Sequence, residues 1–386
     1  MFEFAKRLTN LAPYSTAEAK KRREEAMARG VDIIYLATGD PDIPTPQHII
    51  EALSRAAADP ATHRYGPFEG IPEFRKALID WHKKMFGVEL EMNEICVLGG
   101  SKEGLGRLPV ALLDPGDLAL ISDPGFPPYV RAVLLANGVP HPMPLLREND
   151  FLPDLDRIDP QIAKKAKLMI INYPNNPTGG VATVEFFQKV VEFAKAYNIV
   201  VCHDFAYSTV VFHGYKAPSF LAVKGAKEVG VEINSLSKPY NMTGWRCGFL
   251  VGNKDVIKAF GAVRMNIDSG IFQAVQRAGM AALSTSMEWL EEMRKVYERR
   301  RDIVVNGLRR LEWDVYAPKG TFYVWIPVPK PYNSVQFTDL LFDKAGVVVS
   351  PGNSFGKYGE GYVRISTTIA DERLKEFVQR LENLKF

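Results

Sequence analysis

Short apolar runs alternate with amphipathic segments through the middle of this 386-residue chain, and they restrict its fold more than any other feature. The runs are E-I-C-V-L (94–98), A-L-I-S-D (119–123), K-L-M-I-I-N (167–172), N-I-V-V-C-H-D (198–204) and V-G-V-E-I-N (229–234). Strands separated by helices in this way predict an α/β architecture with a mostly parallel central sheet. In such a sheet ligands sit beyond the carboxyl ends of the strands. Gly100, Phe126, Asn176, Asp204 and Lys238 all fall at or just after predicted strand ends, so one site can gather them.

The last of these runs feeds S-L-S-K-P-Y-N-M-T-G-W-R-C-G (235–248). Lys238 follows two hydroxyl residues, Ser235 and Ser237, and Arg246 comes eight residues later. A lysine forms a Schiff base with an aldehyde when desolvation or a neighbouring cation lowers its pKa. Hydroxyls and a guanidinium suit a phosphate. Pyridoxal phosphate carries both groups.

Composition removes other classes. Basic and acidic residues nearly balance, 48 against 45, for a net charge of +3, which argues against a nucleic-acid protein. The cluster Lys20, Lys21, Arg22, Arg23 precedes Glu24 and Glu25 and reads as the solvated face of an N-terminal helix. Cys96, Cys202 and Cys247 are widely spaced, with no zinc-ligand pattern, so no metal is expected and a reducing compartment is. The N-terminus M-F-E-F-A-K-R lacks the apolar core of a signal peptide, and no run approaches a membrane span. These features predict a soluble cytoplasmic protein without a membrane partner.

Three units are expected. Residues 1–45 form an N-terminal arm and part of a small domain, 46–275 a large domain that binds the cofactor, and 276–386 a small α+β domain. Gly39, in T-G-D-P-D-I-P-T-P, lets backbone approach a ligand closely. Tyr65 and Glu69 lie on the turn-rich loop R-Y-G-P-F-E-G. A strand that ends in Gly99-Gly100 before a helix starting near Ser101 offers free N–H groups to an anion. Asp204 closes an apolar strand, and a buried carboxylate needs a partner. A pyridinium nitrogen, a helix cap or an ion pair would each serve. His203 reads as a packed core histidine. Phe126 suits a flat ring or the core. Arg364, in the apolar run G-Y-V-R-I-S, needs an anion: a substrate α-carboxylate or a structural ion pair.

The order and spacing of these residues resemble the fold-type I, class I aminotransferases over nearly the whole chain. The resemblance implies Lys238, Asp204 and Tyr207 as catalytic residues. It implies Ser101, Lys102, Phe126, Asn176, Ser235, Ser237, Arg246 and Tyr65 around the cofactor, and Gly39, Asn176, Arg364, Lys102 and Glu69 around the substrate. Tyr65 would reach the site of a neighbouring subunit, so a homodimer with shared active sites is implied. Cys247 stands where the family usually has an aliphatic residue. The stretches G-S-K-E-G-L, D-P-G-F-P-P-Y, Y-P-N-N-P-T-G and M-N-I-D-S-G-I-F-Q look like the LL-diaminopimelate aminotransferases, which transfer an amino group to 2-oxoglutarate. Alanine and aspartate aminotransferases share much of this pattern, and the same fold supports pyridoxal phosphate C–S lyases. A ligand-sensing regulator would need an attached DNA-binding domain, which is not expected here.

Overall fold

A computed structural model describes residues 2–9, 11 and 16–384. Seven strands form the central sheet, in the spatial order 95–98, 248–252, 230–235, 200–204, 166–172, 118–123, 139–144. The five strands from 230–235 to 139–144 run parallel, and 248–252 is antiparallel to both its neighbours. Both faces are covered. Phe74, Leu78 and Trp81 of the helix Pro72–Phe86 and Phe187 and Val190 of the helix Val184–Tyr197 pack on one face. Leu105 and Leu108 of Ser101–Leu112 and Phe260 of Lys254–Met265 pack on the other. A strand buried on both faces reads as an unbroken apolar run, which is why the central strands are legible in the sequence.

The edge strand Val139–Pro144 is not legible, because V-P-H-P-M-P alternates proline with other residues. Its register explains how it pairs at all. Val139 and Leu145 donate their N–H groups to the backbone carbonyls of Asp117, just before the neighbouring strand, and Asp123, at its end. Pro140, Pro142 and Pro144 have the opposite parity, so their missing donors fall on the open side of the sheet.

A second core contains Ile34, Leu36, Val304, Leu308, Val324, Val363 and Phe377. It packs around a three-stranded antiparallel sheet of 350–351, 362–366 and 323–327. The N-terminal strand Ile34–Tyr35 pairs in parallel with Val347–Val348, which ties the start of the chain to this layer. The long helix Met287–Arg310 contributes Val304, Val305 and Leu308 to it.

The basic N-terminal cluster departs from expectation. Lys21 is exposed, but the Arg23 guanidinium lies 4.6 Å over the ring of Tyr35 and lines the central cavity. A guanidinium stacks on an aromatic face more readily than an ammonium does, which separates Arg23 from its lysine neighbours. The side chains of Lys20 and Arg22 lie outside the described residues. Among the described residues no helix is long and apolar enough to cross a membrane.

Candidate active site

A cavity of about 730 Å³ opens at the carboxyl ends of the parallel strands and is walled on its far side by the second layer. The sheet side contributes Ser101, Lys102, Phe126, Asn176, Asp204, Tyr207, Ser235, Ser237, Lys238 and Arg246, and the second layer contributes Gly39 and Arg364. Tyr65 and Glu69 do not line it. Tyr65 is 89 % exposed on its loop, and Glu69 is half-buried, its carbonyl accepting from the Val97 N–H at 2.8 Å.

One end of the cavity is built for an anion. Gly100 takes φ +87°, which turns the chain from the strand into the helix Ser101–Leu112 and aims that helix's first N–H groups at the cavity. A Cβ on Gly100 would lie 2.2 Å from a guanidinium nitrogen of Arg246, so the guanidinium sits directly over this turn. Arg246 donates to the Thr243 carbonyl at 2.8 Å and itself adopts φ +56°, a conformation that costs a non-glycine residue roughly 1–3 kcal/mol. Ser235 accepts from the Ser237 N–H at 3.1 Å, which folds both hydroxyls into the same corner. Cys247 behind them is fully buried in the core, and burial pushes its thiol up to about 12, so it packs as the small hydrophobe its position requires.

Asp204 occupies the floor. Tyr129 donates to its Oδ2 at 2.7 Å and the Ala206 N–H to its Oδ1 at 3.2 Å. Burial raises its carboxyl above the usual range, while the Tyr129 bond pulls it back down. Asn172 fixes the strand end: its amide donates to the Asp204 carbonyl at 2.8 Å, and its Oδ1 accepts from the Asn176 N–H at 2.8 Å. Tyr207 meets the Tyr323 hydroxyl at 3.1 Å.

Lys238 lies partly exposed to the cavity and donates to the Gly39 carbonyl at 2.9 Å. Burial lowers its pKa to about 8; Asp40 opposes that shift, and Arg364 and Arg246 reinforce it. A Cβ on Gly39 would fall 1.9 Å from the Tyr323 hydroxyl, so only glycine admits this close approach.

The remaining polar end is Arg364. It donates to Asn176 Oδ1 at 2.8 Å and to the Ala37 carbonyl at 2.5 Å, between the rings of Tyr323 (4.1 Å) and Phe355 (4.6 Å). Its buried Nε has no hydrogen-bond partner, and among the described residues no carboxylate pairs with it. The structural ion pair considered for Arg364 is therefore not what holds it. A buried cation with an orphaned donor fits a carboxylate ligand.

The donor set fits pyridoxal phosphate: an anion corner of hydroxyls, guanidinium and helix N–H groups, a buried carboxylate for a ring N–H, and a lysine of lowered pKa for an aldehyde. Sequence reasoning missed Tyr129, Asn172, Tyr323 and Arg23. The first two carry a signal, since D-P-G-F-P-P-Y and K-L-M-I-I-N both end beside the site; Tyr323 and Arg23 carry none, because tertiary packing alone brings them there. Among the described residues no cluster capable of holding a metal ion is present.

Comparison with known proteins gives a consistent set of likenesses. The aminotransferase class I and II family matches residues 31–381. An LL-diaminopimelate aminotransferase of Moorella thermoacetica is 52 % identical over 381 residues, 98 % of each chain. One from Halothermothrix orenii is 50 % identical, covering 99 % of this chain and 98 % of its own. Among solved structures, substrate-bound BacF from Bacillus subtilis superimposes with a TM-score of 0.95 at 41 % identity, covering 99 % of this chain and 98 % of that one. A Thermus thermophilus aspartate aminotransferase double mutant gives 0.93 at 32 % identity, covering 99 % of both chains.

Proposed function

Because this chain belongs to the class I and II aminotransferases, we propose that it transfers the amino group of LL-diaminopimelate to 2-oxoglutarate, with pyridoxal phosphate held in the cavity. The observation that carries the reading is the meeting of Lys238, Asp204, Arg364 and the anion corner in one cavity. Ser101, Ser235, Ser237, Arg246 and the helix N–H groups hold the phosphate. Asp204 accepts the ring N–H, and Phe126 and Tyr207 wall the ring. When bound, the cofactor supplies an electron sink for the pair left at the substrate's Cα. Arg364 and Asn176 orient the substrate α-carboxylate beside the Gly39 backbone. Lys238 would hold the cofactor at its aldehyde and is placed as the base for the substrate's Cα proton. Screening LL-diaminopimelate, alanine and aspartate as donors to 2-oxoglutarate tests the substrate. Turnover restricted to alanine would remove the narrow reading and leave the transamination chemistry.

The two separate cores support the division into a large cofactor domain and a smaller one that includes the N-terminal strand. Three buried, unpaired cysteines suit the cytoplasm. The homodimer is supported by an apolar patch beside Tyr65: Met265, Ile267 and Phe272 are all exposed, and Gln273 donates to the Arg64 carbonyl at 2.9 Å, tying the two segments together. If Tyr65 serves the partner's site, mixing inactive Lys238→Ala chains with weakened Tyr65→Phe chains restores activity, because one site of each mixed dimer is intact. A fully active monomer at low concentration would refute sharing.

Glu69 is the only carboxylate in the Tyr65–Gly70 loop, so in such a dimer it receives the distal ammonium of LL-diaminopimelate. A site built to pair a polar group rejects analogues that lack it. Glu69→Gln is expected to cut kcat/KM for LL-diaminopimelate by tenfold or more, about 1.4 kcal/mol, while activity with alanine or glutamate changes far less. An equal fall for all donors would instead make Glu69 a support of the fold or cofactor.

A further inference from the structure

On the face of the sheet away from the Asp204 side chain lies a buried polar cluster that the chemistry above does not use. His203, Glu232 and His82 are all completely buried. Both ring nitrogens of His203 face acceptors: Nδ1 is 3.0 Å from Glu232 Oε2, and Nε2 is 3.0 Å from the Tyr173 carbonyl. A carbonyl only accepts, so Nε2 carries a hydrogen. Glu232 Oε1 also faces His82 Nε2 at 3.1 Å and the Asn234 amide at 3.3 Å. Its Oε2 receives the Ser219 hydroxyl and the Phe220 N–H, each at 3.0 Å. Burial alone would raise the Glu232 carboxyl, and the bonds from His203 and His82 lower it. Oε2 thus already receives two donors, so Nδ1 of His203, facing the same oxygen, is placed to donate as well.

His82 differs. Its buried Nδ1 has no partner, and leaving a lone pair bare there costs less than burying a second unpaired N–H with its charge. The other groups packed on His203 are the rings of Phe187, Phe205 and Phe220.

We propose that His203 is a positioning residue for Asp204: a buried imidazolium, one residue away in the chain, that keeps the Asp204 carboxylate ionised and fixes the strand end beside it. The second effect runs through Tyr173, whose carbonyl His203 clamps between Asn172 and the Asn176 loop. A buried ion pair adds little stability compared with a hydrophobic pair of the same volume, so stability does not account for it. The charge acts in the needed direction, since burial raises the Asp204 carboxyl and the His203 and Lys238 charges both lower it. The inference rests on Asp204 as the acceptor of the cofactor's ring N–H.

The first test needs no cofactor. The six histidines of the apoenzyme, labelled with nitrogen-15, give a simple long-range proton–nitrogen spectrum. His203 should show two protonated ring nitrogens, with hydrogens on both Nδ1 and Nε2. A neutral His203 overturns the proposal. The second test measures the affinity of apoenzyme for pyridoxal phosphate as pH falls. Removing a nearby cation raises the carboxyl's pKa, so in His203→Gln the loss of affinity on acidification should move to higher pH, by about one unit. Should that variant fail to fold, His203→Asn, which also removes only the cation, must shift in the same direction. Asp204→Asn separates the two readings. An unchanged acid limb in Asp204→Asn ends the role of Asp204; a limb lost there but unmoved in the His203 variants ends the role of His203.

Discussion

Lys238→Ala is expected to lose at least about four orders of magnitude in turnover, because one side chain supplies two things. On the proposed assignment it is the amine that engages the cofactor's aldehyde and the base that moves the substrate's Cα proton, a function worth roughly 10²–10⁴-fold by itself. Its environment prepares it for both. At an ordinary lysine pKa only about 0.3 % of the amine is neutral at pH 8. Burial, with Arg364 and Arg246, brings the pKa to about 8, so near that pH about half is neutral. The neutral form is the nucleophile, so the rate at which the apoenzyme captures pyridoxal phosphate should rise with pH through this region. The variant should also fail to develop the visible absorbance of a lysine-linked cofactor while still retaining pyridoxal phosphate on dialysis, since the anion corner of Ser101, Ser235, Ser237 and Arg246 is untouched. Activity above about one per cent of wild type in Lys238→Ala would refute the assignment.

Much of this site was legible before the structure, for a physical reason. A parallel sheet brings the carboxyl ends of its strands to one edge, so residues that follow apolar runs converge whatever their separation in sequence. Asp204, Asn176, Ser101 and Lys238 were readable in that way, and the cavity gathers them. What the strands do not position was harder to read. Arg23 sits in a charged helical run like any solvated face, and only the pairing of Ile34–Tyr35 with Val347–Val348 brings that helix to the cavity mouth. The edge strand 139–144 was hidden by its prolines, which are tolerated only because of a register that no local pattern reveals. His203 was readable as buried but not as bonded through both ring nitrogens. Its partner Glu232 comes from the next strand, directly opposite in the sheet register, and a carboxylate inside V-G-V-E-I-N looks like an ordinary interruption of an apolar run.

Arg364 is where the second large effect is expected. Its guanidinium is held on two sides by aromatic rings and on two others by Asn176 and the Ala37 carbonyl, all of them neutral groups. A buried cation so arranged retains its full attraction for a carboxylate, and a planar fork presents two parallel N–H bonds to it. Each charge-assisted bond contributes about 1.5–3 kcal/mol. Arg364→Ala should therefore lower kcat/KM by about 10²–10⁴-fold, that is, by roughly 3–6 kcal/mol. Arg364→Lys keeps the charge and loses the fork, so a fall of at least tenfold remains, about 1.4 kcal/mol. The loss should be the same for every amino donor and for the 2-oxo acid acceptor, because all present the same α-carboxylate. Steady-state kinetics with LL-diaminopimelate, glutamate and 2-oxoglutarate distinguish the alternatives. A loss confined to LL-diaminopimelate would move Arg364 to the side-chain end of the substrate, leaving the α-carboxylate to Asn176 and the Gly39 backbone.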